Sequence, residues 1–393
     1  MRVLLLCDRY PNSYRDGLLL RILHLLKHLV KDHRFDLLCQ HGGVADGEPP
    51  KLFDRIWTAP VLPTREGQGW RGLFTGWDAR DLYQRNPEIV RLLQEEIDPA
   101  GYDVVWDAGA RMLMHLPDRW NGVPVVAELV DDMVLTIGRA ARKTPWSLER
   151  LRLMKYETVH RRYERDCLQR AAVCSVVSDE DAASFRSVSR VPVRVARNGV
   201  DTDFFAPGTE PEIPGRLVFE GSMSFGPNLL AATFLVEHVM PLVWARRPDA
   251  SIVLVGRDPP PRLLALANER VRVTGSVDDV RPFVRQAQIF MCPLLDGAGI
   301  KNKLLQAFAM GKAVIATPVR VGGLSAEDGT HLLVRDGASA LAEAALGLLD
   351  DAALRTRLGE AARALVHETL TWPIQAAAFE AVLTEAAGRA VRR

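Results

Sequence analysis

Short apolar runs alternate with longer stretches of helical period along almost the whole chain. In the first half, "RVLLLC", "FDLLCQ", "RIWTAP", "YDVVW", "VPVVAEL" and "AVCSVVS" predict strands. A helix is predicted over "DGLLLRILHLLKHLVK", and a long one over much of Trp146 to Gln169. In the second half, "RLVFEGS", "SIVLVG", "VRVTG", "AQIFMCP", "KAVIATP" and "HLLV" predict strands, and "PNLLAATFLVEHVMPLVWARR" a helix. Strands that are apolar on both faces and separated by helix-length spacings predict parallel sheets with crossover helices.

The rhythm breaks once, at "RNGVDTDFFAPGTEPEIPGR", which is rich in Gly, Pro and Asp and has neither period. At 393 residues the chain is long enough for two domains. The predicted division is a Rossmann-like domain over 1–197, a linker over 198–216, a second Rossmann-like domain over 217–371 and a terminal helix over 372–393. The chain is helical from about Asp351 onward, with a break at Trp372-Pro373, where proline starts a new helix. The fold class is therefore α/β, with the crevice between two doubly wound domains as the default ligand site.

Composition narrows the function classes. The chain is 48% hydrophobic and 25% charged, an ordinary globular balance, and its net charge of +1 gives no global field to recruit nucleic acid. Five cysteines without a C-x-x-C spacing read as reduced thiols of a cytoplasmic protein. The opening "MRVLLLCDRY" turns polar too soon for a signal peptide, and no stretch approaches about 20 uninterrupted apolar residues. One local excess of charge stands out. From Arg139 to Arg170 the basic residues are opposed only by Glu149, Glu157, Glu164 and Asp166. A solvated helix face explains it, and so does a basic patch for an anionic membrane on its inner side.

Candidate chemistry concentrates at strand ends. In "DGAGIKNKLLQAFAMGKAVIATP" two lysines, Lys301 and Lys303, stand where a helix begins, although a helix N-terminus carries positive partial charge. At about 100° per residue, Lys301 falls on the side of Leu304, Leu305 and Phe308. It either snorkels or pairs with Asp296, or it reaches into the crevice to meet a phosphate beside free backbone N–H groups. "FEGSMSFGPN" is a strand-to-helix turn in which Gly221 and Gly226 let backbone approach a ligand. "DRYPNSYRDG" is the matching turn of the first half; it brings Asp16 and Gly17 to a helix start without a G-x-G-x-x-G fingerprint. "VVAELVDDM" ends a strand with Glu128, Asp131 and Asp132, placed for acid/base work or for capping the next helix. His24 and His28 have a metal-compatible spacing but no evident third ligand, so no metal is expected.

These residues, taken in order, resemble the family 4 glycosyltransferases of GT-B fold. The resemblance spans nearly the whole chain and is carried by "NGVDTDFFAP", "LVFEGSMSFGPN", "SIVLVGRDP", "VTGSVDDVRPFV" and "GAGIKNKLLQAFAMGKAVIATPVRVGGL". The "GSM…PN" and "GIKNK" variants look like a subgroup of bacterial exopolysaccharide sugar transferases. The resemblance implies two domains facing across a cleft, with "TWPIQAAAFEAVL" as a helix crossing back to the N-terminal domain. It implies no cofactor beyond a nucleoside-diphosphate sugar as co-substrate. The donor base and ribose would lie near Arg257, Gly275, Val277 and Gln306. The diphosphate would lie near Gly17, Ser222, Asn228, Lys301 and Lys303, and a glycan or lipid-linked acceptor near Glu128, Asp131 and Asp132.

Two departures mark this chain. Ser222 and Asn228 stand where many members place an Arg and a Lys, so Lys301 and Lys303 are the substitutes for that charge. Ala298 and Gln306 stand in place of the two glutamates of E-x7-E. A Gln amide still accepts a hydroxyl hydrogen, but without charge assistance. The expected reaction is glycosyl transfer from a nucleoside-diphosphate sugar to an acceptor hydroxyl, with retention. The rivals are a nucleotide-sugar epimerase of the same fold and a non-catalytic nucleotide- or glycan-binding protein.

Overall fold

The computed structural model describes residues 1–11, 17–41, 51–62, 85–130, 133–294, 302–318 and 324–390. The chain divides into two compact units, residues 1–197 with 375–393, and residues 198–374.

The first unit is built on a seven-stranded parallel sheet in the order β3-β2-β1-β4-β5-β6-β7. Its strands are β1 (Arg2–Cys7), β2 (Arg34–His41), β3 (Arg55–Pro60), β4 (Val104–Ala108), β5 (Val125–Leu129), β6 (Val173–Val176) and β7 (Val193–Val195). Val3 to Cys7 have no exposed surface, as a strand covered on both faces requires. The strand β7 carries no period long enough to read from sequence; it exists because Cys174 to Val176 pair with Val193 to Val195.

Crossover helices flank this sheet: α1 (Gly17–Leu29), α2 (Pro87–Glu95), α3 (Met133–Lys143), α4 (Leu148–Asp166) and α5 (Asp179–Val188). Local chemistry sets their starts. Asn86 Oδ1 accepts from the Glu88 N–H with Pro87 next in the chain, and the Ser147 hydroxyl accepts from the Arg150 N–H.

The second unit repeats the plan with six parallel strands in the order β10-β9-β8-β11-β12-β13. They are β8 (Arg216–Glu220), β9 (Ser251–Val255), β10 (Val271–Val273), β11 (Ile289–Cys292), β12 (Ala313–Ala316) and β13 (Leu333–Val334). The predicted helix after β8 is α6 (Gly226–Phe234), a π turn over Leu235–Val239 and α7 (Met240–Trp244). By length and composition Gly226–Trp244 could cross a membrane, but Ala231, Leu235 and Val239 are fully buried in the core of this unit. Then follow α8 (Pro261–Leu264), α9 (Arg281–Arg285), α10 (Asn302–Ala309), α11 (Ala338–Asp350) and α12 (Ala352–Thr369).

The Gly/Pro-rich stretch after residue 197 is laid onto the second unit. The Val200 N–H donates to the Leu370 carbonyl, the Ile213 N–H to the Gln286 carbonyl, and Arg285 Nε to the Ala206 carbonyl.

The last helix, α13 (Trp372–Ala390), carries the chain back to the first unit. Phe379 packs on Trp106 at 4.7 Å between ring centroids, and Arg21 of α1 lies 5.9 Å above the same ring. Arg194 makes a two-pronged pair with Glu385, and His33 contacts Glu380 at 2.8 Å. The return of this helix, expected from the resemblance, is therefore a packed feature of the first unit.

Candidate functional site

In an open parallel sheet, ligands settle beyond the carboxyl ends of the strands where the strand order reverses. In the second unit that point falls between β8 and β11. The turn after β8 and the helix α10, which follows β11, meet there.

Lys303, the second residue of α10, reaches the turn. Its Nζ donates to the Glu220 carbonyl at 2.6 Å and to Asn228 Oδ1 at 2.8 Å, and it stands 4.7 Å from the centre of the Phe219 ring. Asn228 closes the turn with its other amide atom, donating to the Ser222 carbonyl at 2.9 Å. Ser222 and Ser224 share a hydrogen bond between their hydroxyls at 3.0 Å. A Cβ on Gly221 would lie 2.5 Å from Lys303 Nζ and 2.6 Å from Asn228 Nδ2, so only glycine lets this triad close. Below it, Glu220 Oε2 is buried and accepts no hydrogen bond among the described residues. Burial raises the Glu220 pKa, and the Lys303 ammonium pulls it back down.

The neighbouring strand ends are tied to the same turn. The Gly221 N–H donates to the Val255 carbonyl and the Met223 N–H to the Arg257 carbonyl, both at 2.9 Å. The Gly256 N–H points at Thr274 Oγ1, whose own hydroxyl donates to the Gly275 carbonyl at 2.8 Å. Gly275 needs its glycine, because its φ is +71°. Arg257 is exposed beside Asp258, and Val277 is half-buried against the core. Gln306 is half-buried on α10, one turn beyond Lys303. The structure thus links Ser222, Asn228 and Lys303 by hydrogen bonds, sets Arg257, Gly275 and Val277 just beyond the ends of β9 and β10, and keeps Gln306 on α10. Lys301, Asp296 and Ala298 lie outside the described residues, as do Asp16, Asp131 and Asp132.

The first unit treats its two described candidates differently. Gly17 is exposed at the start of α1, with open space where a Cβ would stand. Glu128 is fully buried. Its Oε1 takes Arg21 Nε at 2.7 Å and its Oε2 takes Trp106 Nε1 at 2.8 Å, while Arg21 NH1 donates to the Arg197 carbonyl at 2.6 Å. A carboxylate so enclosed ties α1 to β4 and β5. Glu128, expected for acid/base work, therefore stands here with Arg21 and Trp106 as its partners.

The switch point of the first unit, between β1 and β4, shows groups that sequence reasoning missed. Asp8, just past β1, accepts from Arg111 NH1 at 2.9 Å. His160 of α4 is buried, and its pKa falls to about 4, by desolvation first and then by the Arg111 charge. Asp107 is pushed up to about 7 by burial, although the Met112 and Leu113 N–H groups hydrogen-bond its two oxygens. The available signal was a charged residue directly after an apolar strand, "LLLCDR"; the approach of His160 needed the tertiary fold. Among the described residues, no group of three His, Cys, Asp or Glu is placed to hold a metal ion.

The family described as "Glycosyltransferase Family 4" matches residues 15–204, and "Glycosyl transferases group 1" matches residues 214–351. The phosphatidyl-myo-inositol mannosyltransferase of Mycolicibacterium smegmatis is 30% identical over 162 residues, 39% of this chain and 41% of that protein. Its counterpart in Mycobacterium tuberculosis H37Rv is 29% identical over 206 residues, 49% of this chain and 53% of that protein. The chain thus spans about half or less of the length of these curated relatives. Among solved structures, sucrose-phosphate synthase from Thermosynechococcus elongatus superimposes with a TM-score of 0.72 at 16% identity, covering 98% of each chain. Anabaena HepE in complex with UDP and glucose gives a TM-score of 0.66 at 13% identity, over 97% of this chain and 99% of that one. Taken together, the two matched halves and the shared architecture show that the chain belongs to the family 4, or group 1, glycosyltransferases and has the GT-B fold.

Proposed function

We propose that the protein transfers a hexosyl unit from a nucleoside-diphosphate sugar to a hydroxyl of a lipid-linked or glycan acceptor, with retention. The observation that carries this reading is the Lys303 ammonium, held by Asn228 and the Glu220 carbonyl over a glycine turn at the switch point of the second unit. An ammonium, the N-terminus of α10 and the turn after β8 together suit a donor diphosphate. As the glycosidic bond breaks, negative charge grows on the leaving diphosphate, and groups already fixed around it lower the barrier. Lys301 is the second ammonium proposed for that task, and Gly17 keeps its proposed role toward the diphosphate. Arg257, Gly275, Val277 and Gln306 are proposed for the base and ribose. Asp131 and Asp132 keep their proposed place beside the acceptor, joined by Asp8 and Arg111.

The lipid acceptor is proposed by analogy with the mycobacterial relatives, which are phosphatidyl-myo-inositol mannosyltransferases. It favours a lipid over the exopolysaccharide setting suggested by the motif variants. The basic stretch supports it: Trp146, Leu148, Leu151 and Met154 are exposed around the first turns of α4, with Arg150 stacked on Trp146 at 4.5 Å. Exposed apolar side chains with Arg142, Lys143 and Arg152 near them in sequence suit the surface of an anionic membrane, so we propose a cytoplasmic protein, peripheral on the inner face.

Gln306 favours a second reading, a protein that binds nucleotide or glycan without turnover. One assay separates the readings: UDP-, GDP- and ADP-hexoses are incubated with and without phosphatidylinositol vesicles, and diphosphate release and sugar identity are followed. Acceptor-dependent release with one base is expected. Binding without release would favour the second reading, and an epimerised sugar formed without acceptor would overturn the transferase.

A further inference from the structure

At the end of the first sheet opposite Asp8 and Arg111, a groove of about 870 Å³ opens beside the amino ends of β5, β6 and β7. Its walls are the segments leading into those strands, 121–124, 169–172 and 190–192, and one face of α13. Three arginines line it, Arg170, Arg190 and Arg389, with a single carboxylate, Glu385. That carboxylate is already shared: Arg194 holds both its oxygens at 2.8 and 2.9 Å, and Arg389 donates to it at 2.8 Å. Arg170 is fixed by neutral acceptors, the Leu116 carbonyl at 3.0 Å and Asn121 Oδ1 at 3.1 Å. Arg190 is exposed and makes no ion pair among the described residues. The groove therefore concentrates positive charge that its own residues do not neutralise.

Val123, Pro124, Val191 and Pro192 give the same groove apolar wall. A volume of this order suits a compact small molecule, and guanidinium groups match phosphate oxygens in pairs. We propose that this groove is a second ligand site, for a small organic phosphate of the size of a sugar phosphate or nucleotide. The site is separate from the strand ends of the second unit and does not depend on the reading given to them.

Gly388 makes the test clean. It lines the groove on α13, and a Cβ there meets nothing within 4 Å, so the side chain of Gly388→Leu starts from open space in the groove. The probe is glucose 1-phosphate, titrated by calorimetry into the full chain, with Lys303→Ala, Arg190→Gln/Arg389→Gln and Gly388→Leu variants checked for fold by circular dichroism. The expected result is binding that survives Lys303→Ala and weakens by roughly tenfold or more in the double arginine variant, which loses two charge-assisted contacts. It should weaken likewise in Gly388→Leu. Binding abolished by Lys303→Ala, or unchanged in the folded double arginine or Gly388→Leu variants, would overturn the site.

Discussion

Lys303 shows what one residue gains from its fold. The sequence marked it as a cation at the wrong end of a helix; the structure makes it the bolt of a turn, bonded to Asn228 and the Glu220 carbonyl. Helical angle alone put Lys301, rather than Lys303, on the side of Leu304, Leu305 and Phe308. Asn228 was legible as a position but not as a device: that one side chain both receives Lys303 and closes on Ser222 comes from the geometry of the turn. Glu128 teaches the converse. A carboxylate at a strand end looked catalytic, yet the fully buried Arg21 on α1, 107 residues away in sequence, claims it. Burying such a pair is costly unless both charges are satisfied, and no spacing rule reveals the partner.

Histidine supplies a test at the same scale. His115 accepts from the Asn86 N–H at Nε2 and faces the Met112 carbonyl at Nδ1, so its neutral form fits. Burial lowers its pKa to about 4. Because the folded value lies below the unfolded one, the unfolded chain takes up the proton first. The stability contributed by neutral His115 is thus complete above about pH 6.5 and is lost toward pH 4, by about 3 kcal/mol at most. Asp107, with a raised value, works the other way, losing its contribution as pH rises through about 7. Denaturant unfolding of wild type and His115→Gln across pH 4 to 7 isolates the histidine. The variant should show a shallower loss on acidification, and parallel curves would sink the assignment.

At the scale of elements, the alternation of apolar runs located strands that now pair in parallel in two sheets. The pattern was strong because buried parallel strands need apolar residues on both faces. It failed for β7, three residues whose pairing with β6 is tertiary. It also missed the π turn at Leu235–Val239, since Leu235, Val236, Val239 and Met240 keep the apolar spacing of an ordinary α-helix. The basic stretch was legible as charge but not as a surface. Only the fold shows Trp146 and Leu151 exposed among the arginines, with Lys155 and Glu164 of the same helix turned inward. A prediction belongs here: wild-type protein should float with anionic vesicles at low salt, and Trp146→Ala/Leu151→Ala should float several-fold less. Wild type remaining with the unbound fraction would return α4 to a solvated face.

For the whole molecule, two units each carry a doubly wound sheet, and each sheet has its own switch point. The duplication was readable because the second half restarts with a strand and a glycine turn. The return of α13 to the first unit was readable only through the resemblance, since contacts such as Phe379 with Trp106 span most of the chain. The central claim is that the switch point of the second unit holds the donor diphosphate through Lys303. It is tested most directly by titrating UDP, GDP and ADP into wild-type protein and a folded Lys303→Ala variant. One nucleotide should bind wild type best, and the variant should bind it roughly ten- to a hundredfold more weakly, the loss of one charge-assisted contact. Equal affinity of the two proteins for that nucleotide would contradict the claim.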